Sequence, residues 1–180
     1  WTLSFDAGDR LSYITDPFNR RTTFVYDGSN KVRRIVDSGG RITTFVVNAS
    51  GDLAKITTPE LDVTTLVYDA SHRLKAWVTP TGNRTTYAHD ANSKLRSVKS
   101  PEGQTTTFTY LTSKMTVTDP LGKVTSLLLT GDNNLRGIVD ALGNRTTYAW
   151  SVNRLRSVQD ARGNRTTFSY ADMDDLTKRL

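Results

Sequence analysis

The sequence repeats with a period of about 21 residues, which is room for one supersecondary unit, so each unit must bury its apolar side chains against copies of itself. The residues closing successive Thr-Thr-aromatic segments are Phe5, Tyr26, Val47, Tyr68, His89, Tyr110, Leu129, Trp150 and Tyr170, separated by 21, 21, 21, 21, 21, 19, 21 and 20 positions. The hexapeptide Asn-Arg-Thr-Thr-Tyr-Ala occurs at 83–88 and again at 144–149, and Leu-Arg-Ser-Val at 95–98 and 155–158. On this period the array occupies residues 1–180 as about eight and a half units, with no separate second domain expected.

Proline and glycine keep the same register. Pro17, Pro59, Pro80, Pro101 and Pro120 share one position of the unit, and Gly40, Gly82, Gly103, Gly122, Gly143 and Gly163 lie two residues after it. Asp, Ser or Thr followed by Pro-x-Gly fits a type I turn, with Pro presetting φ at the second residue and Gly supplying a positive φ at the last. A second turn follows each anchor, as in Asp27-Gly28-Ser29-Asn30, where Asp and Asn can bond nearby amides. Two turns per unit leave two short strands.

Both strands read as β. Thr22-Thr23-Phe24-Val25-Tyr26 and its equivalents are β-branched and aromatic throughout. The returning strand carries Leu-x-x-(Ile/Val/Trp)-x-Asp, seen at Leu11 to Asp16 and Leu135 to Asp140. Apolar residues three apart would fall on opposite faces of an ideal strand, so a bulge or burial on both faces is required. Alternation places Phe24, Phe45, Leu66, Tyr87 and Phe108 on one face with the anchors, the expected hydrophobic face, and leaves Thr23, Thr44, Thr65 and Thr86 on the other. An isolated hairpin is marginal in water. The expected fold is therefore all-β, a solenoid-like spiral sheet, open barrel or shell of stacked β-hairpins, curled by the inherent twist of its strands.

Composition narrows the function. A chain with 36% hydrophobic and 23% charged residues is too apolar for a disordered one. The longest apolar run, Leu127 to Leu129, is far short of a membrane helix. The absence of cysteine excludes disulfides, Cys-ligated zinc and thiol nucleophiles, and leaves the compartment open. A net charge of +6 permits contact with a polyanion without requiring it.

No catalytic, cofactor-binding or metal-ligating constellation emerges. His72 falls in a turn and His89 at an anchor position, reading as a turn residue and a stacked ring. The recurrent acids (Asp6, Asp27, Asp69 and Asp90 after the anchor; Asp16, Asp37, Asp119, Asp140 and Asp160 at the other turn) lack calcium-loop spacing and read as turn caps. Arg10, Lys31, Arg73, Lys94 and Arg154 precede the Leu anchor and face the Asp across the turn, a salt bridge worth less than about 1 kcal/mol. Arg84, Arg145 and Arg165 form a second cationic set, which makes no nucleic-acid surface because the aromatics lie on the packed face. Asn48, Asn83, Asn144 and Asn164 head Asn-x-Ser/Thr sequons that would be acceptors in a eukaryotic secretory pathway, although the turn pattern itself generates most of them. The residues expected to matter are architectural: the anchors Tyr26, Tyr68, Tyr110, Trp150 and Tyr170, packing between hairpins, and the Pro-x-Gly turns that set register.

Tyr68-Asp69, Arg73-Leu74, Trp77 and Pro80-Thr81-Gly82-Asn83-Arg84-Thr85-Thr86 together resemble the tyrosine-aspartate (YD) repeats of rearrangement-hotspot (RHS) and teneurin-like proteins. The resemblance extends along the whole chain at the level of the array. It implies a spiralling β-hairpin shell, part of a very large secreted or surface-displayed protein. His89, Leu129 and Trp150 depart from Tyr, Thr130 and Ser151 depart from the following Asp, and the unit starting at Tyr110 is two residues short. Many bacterial members end in a core region with a self-cleaving aspartate site and a variable toxin. This sequence shows neither, so no proteolytic or toxin activity carries over to it.

The chain opens inside one strand and stops shortly after Leu176, part-way through another, and is expected to be a segment of a longer array. The functional expectation is a non-enzymatic structural segment forming a rigid extracellular shell, tube or fibre, whose partners are other repeats or neighbouring copies. Two alternatives stand beside it: an extracellular glycan- or protein-binding module, and the carrier shell of a toxin domain lying outside this chain.

Overall fold

In a computed structural model, which describes residues 1–170, the fold is all-β. The returning strand expected near Leu176 lies outside the described residues. The chain divides into two compact units, residues 1–103 and 104–180. The first holds β1 (Thr2–Phe5), β2 (Leu11–Thr15), β3 (Arg21–Tyr26), β4 (Val32–Val36), β5 (Ile42–Val47), β6 (Leu53–Thr57), β7 (Val63–Tyr68), β8 (Leu74–Val78), β9 (Arg84–His89) and β10 (Leu95–Lys99). The second holds β11 (Thr105–Leu111), β12 (Lys114–Thr118), β13 (Val124–Leu129), β14 (Leu135–Val139), β15 (Arg145–Ser151), β16 (Arg154–Gln159) and β17 (Arg165–Thr167). Within each unit every strand pairs antiparallel with its sequence neighbours, giving a meander of hairpins.

A bulge resolves the Leu-x-x-Val spacing. Tyr68 faces Leu74 and Leu66 faces Trp77, while Val67 faces Ala76, so Lys75 is left without a partner. The extra residue brings Leu74 and Trp77 onto the face of Leu66 and Tyr68. The same shift occurs in the β1–β2, β3–β4, β5–β6, β9–β10, β13–β14 and β15–β16 hairpins.

The two shortened intervals follow from the same geometry. In β11–β12, Tyr110 faces Met115 and Phe108 faces Val117 in unbroken register. That unit has lost one turn residue and the bulge residue, which accounts for its spacing of 19. In β15–β16 the bulge remains at Arg156 but the turn is reduced to Val152-Asn153, at φ 48° and 61°, so the spacing is 20. A two-residue loop with both φ positive is the turn whose twist matches a hairpin. Deletions are absorbed at the turn and bulge, and the ring positions stay on one face.

At the other turn, Gly82 donates its N–H to the Thr79 carbonyl at 2.9 Å with φ +84°, and Thr79 donates to the Asn83 carbonyl at 2.9 Å. A Cβ at Gly82 would meet no atom within 4 Å, so the expected cost of substitution there is backbone strain. Asn19 and Leu61 occupy the equivalent position at φ +60° and +70°, so a side chain is tolerated there in two units. Gly82→Val is expected to cost about 1–2 kcal/mol. An unchanged thermal unfolding midpoint would contradict the requirement for a positive φ.

The pattern of burial differs from the sequence expectation. The large side chains of the ring face are only partly shielded, with Trp77 44% and Leu3 56% exposed. The most enclosed residues are small and lie on the threonine face: Ala76, Gly137 and Ser157. In a single twisted layer, rings stand up among lateral neighbours while a small residue sits at the floor between longer ones. Burial therefore follows side-chain length more than polarity.

Candidate functional site

The chemically active groups lie along the two edges where the turns collect. In a representative turn, Asp6 Oδ1 accepts the N–H groups of Gly8 and Arg10 at 2.9 and 3.1 Å, and its Oδ2 accepts Arg10 Nε at 2.8 Å. Asp16 does the same at the opposite edge with Phe18 and Arg20, its side chain only 7% exposed. Of the five basic residues expected to face the turn acid, Arg10 and Arg73 form salt bridges, with Asp6 and Asp69, and Arg20–Asp16 and Arg41–Asp37 add others at the opposite edge.

The carboxylates are held ionised by these bonds. The Arg10 guanidinium holds Asp6 below the usual carboxylate range, helped by the Arg10 and Gly8 amides. At Asp16 burial pushes upward, but the amide and guanidinium of Arg20 outweigh it and the net direction is down. Asp37 is lowered by the Arg41 amide and guanidinium, and Asp140 and Asp160 first by the side-chain amides of Asn144 and Asn164. Every donor here is an arginine, an asparagine or the backbone of the same turn. These bonds stabilise the loops.

The anchors reach across a strand. Tyr26 Oη donates to the Leu11 carbonyl at 2.9 Å, and Trp150 Nε1 donates to the Leu135 carbonyl at 2.7 Å. Leu11 and Leu135 each open a bulged strand, so the ring supplies a donor where the ladder is interrupted. Trp therefore replaces Tyr without loss of the bond. Arg10 lies 4.7 Å from the Tyr26 ring centroid and also donates to Asn30 Oδ1 at 2.5 Å, joining the turns of two successive hairpins. Arg154 lies 5.9 Å from the Tyr170 centroid. Tyr68 and Tyr110 occupy the same half-buried ring position.

Turn-to-turn links of this kind recur and were not foreseen. Asp52 Oδ1 meets His72 Nδ1 at 2.8 Å, Arg73 Nη1 donates to the Asp90 carbonyl at 2.9 Å, and Asn134 Nδ2 donates to Asn153 Oδ1 at 2.8 Å. The partners are separated by 20, 17 and 19 residues, short of the period by differing amounts, so no single sequence offset announces them. His72 is thus a turn residue with a carboxylate partner, and no group of metal-ligating side chains occurs among the described residues. The sequon amides are engaged inside their own turns: Asn83 Nδ2 with Thr81, Asn144 with Asp140, Asn164 with Asp160, and Asn48 with Asp52.

Comparison with known proteins agrees with this geometry. The RHS Repeat family model matches residues 68–95, the segment whose motif is most complete. No curated protein matches the sequence. Among solved structures, the fold is similar to a chain in the Photorhabdus luminescens Tc holotoxin pore carrying a TccC3 mutation, at 16% identity and TM-score 0.51. It is also similar to a chain of the TcdB2-TccC3-TEV crystal structure, at 15% identity and TM-score 0.52. Each match covers 92% of this chain and 9% of the other, so the chain spans about one tenth of the length of those it matches.

Proposed function

We propose that this chain, which carries an RHS repeat, is a wall segment of a larger extracellular β-shell, and that its work is architectural. The observation that carries the reading is where the longer-range polar bonds go: Tyr26 and Trp150 bond to the neighbouring strand at its bulge, and several turns bond to the next turn along. These bonds hold successive hairpins to one another, which is the requirement of a wall. The segment belongs to a longer array, in keeping with its small share of the chains it resembles. Those chains come from toxin complexes, which favours a second, compatible reading in which the wall carries a toxin domain encoded elsewhere in the same protein.

Electron microscopy of the full-length protein tests both readings. A closed hollow particle, with a downstream domain resistant to protease until the particle is denatured, is the expected result. Open filaments, or a downstream domain digested as fast as a free one, would replace the shell with a fibre or a simple tether.

A further inference from the structure

The strands segregate charge in a way that shell-building does not require. Not one Asp or Glu lies in any described strand, whereas Arg and Lys recur in them, and the described acids lie in the turns and connecting segments. Alternation from the ring positions assigns Arg21, Arg34, Lys55, Arg84 and Lys99 to the threonine face of the first unit. That face is cationic and hydroxylated, with no strand carboxylate to neutralise it.

The charge is concentrated beside two adjoining hollows. One, of about 590 Å³, is lined by Arg20, Arg21, Thr23 and Asp37, and the next, of about 480 Å³, by Arg34, Arg41, Thr44 and Thr57, with Gly40 shared between them. Arg34, Thr44 and Thr57 form one cross-strand row. Arg20 and Arg41 are held by Asp16 and Asp37, and Arg21 is stacked at 3.6 Å from the Tyr13 centroid. Arg34 and Lys55 are exposed and form no ion pair among the described residues. They hold equivalent positions in successive units; Lys55 lies two strands over from Arg34 and two residues along the strand from Thr57, which puts the two backbones on the order of 12 Å apart.

We propose that this face of the first unit binds a linear acidic polysaccharide. Several cations spread along one face with no strand carboxylate among them complement a polymer whose carboxylates or sulfates recur along an extended chain, and the intervening Thr hydroxyls suit sugar hydroxyls. Single-stranded nucleic acid is disfavoured because base stacking needs free aromatic faces, and Tyr13 on this face is already covered by Arg21. The inference concerns a ligand on the wall and is separate from what the wall encloses.

The test uses the 180-residue chain with polygalacturonate, neutral dextran, polyglutamate and oligothymidylate as probes. Polygalacturonate is expected to bind most tightly, dextran not at all, and affinity is expected to fall as salt rises. Arg34→Glu/Lys55→Glu is expected to weaken binding roughly tenfold or more, because both reversed charges lie on the binding face, at the row and beside it. Lys31→Glu/Lys123→Glu, an equal change of net charge in turns away from the row, is expected to leave binding within about twofold at moderate salt. Retained melting temperature for each variant confirms that it folds. Equal binding of all three polyanions, equal losses in the two double variants, or no binding of polygalacturonate at low salt would each overturn the proposal.

Discussion

Gly137→Val is expected to destabilise the second unit by roughly 2 kcal/mol, read as a lower urea midpoint with an unchanged slope. Gly137 sits in β14 between Leu128 and Thr147, enclosed on the threonine face. A Cβ there would lie 3.2 Å from the Thr146 carbonyl oxygen, 3.6 Å from Leu128 Cδ1 and 3.7 Å from Arg145 Nε. Its backbone is ordinary extended strand, so the cost is one of space, unlike that at Gly82. The equivalent row in the first unit is Val67–Ala76–Thr86, with a smaller first residue and a larger second. The two rows divide a similar volume differently. Leu128→Ala in the Gly137→Val background is therefore expected to recover part of the loss. Valine is also a strong strand former, and a gain in stability would show that propensity outweighs space here, contradicting the account.

Acid is expected to unfold the hairpins selectively. Asp6, Asp16, Asp27, Asp37, Asp69, Asp140 and Asp160 all have folded pKa values below their ordinary value of 3.8. A depressed carboxylate contributes its full stability above the unfolded pKa and loses it as pH falls through the folded one. The melting temperature should therefore be flat with respect to these groups above about pH 5 and fall steeply below about pH 4. Some turns use a neutral acceptor at the same position: Thr79 Oγ1 accepts the Asn83 amide and Thr130 Oγ1 the Asn134 amide. Hydrogen exchange at low pH should expose the amides of Gly8, Arg10, Phe18 and Arg20 before those of Asn83 and Asn134. Uniform loss of protection, or no loss down to pH 2, would contradict the role given to the carboxylates.

Much of this was legible in the sequence because the constraints were local. Pro-x-Gly and Asp-Gly-Ser-Asn turns announce themselves by residue type, and Leu-x-x-Trp demanded a departure from strand alternation that the structure supplies as a bulge at Lys75. Even the shortened intervals encode which hairpin lost its bulge. The burial pattern was less accessible. Ala76, Gly137 and Ser157 look unremarkable in one dimension, and only the cross-strand rows show what encloses them. The links between turns, such as Arg10 with Asn30, connect residues from different units and depend on how one hairpin lies over the next. The charge segregation was visible as a list of positions but became a surface only when the bulges fixed which side each residue faces.

The central claim is that hairpins pair side by side in sequence order, with one unpaired residue in each bulged strand. Interstrand nuclear Overhauser effects measure this directly on the 180-residue chain. Contacts between Val46 and Lys55 and between Val47 and Leu53, with Ala54 skipped, are expected, together with the unbroken series through Tyr110–Met115 and Phe108–Val117. Helical contacts within a unit, or strand pairs between non-consecutive hairpins in place of these, would contradict it.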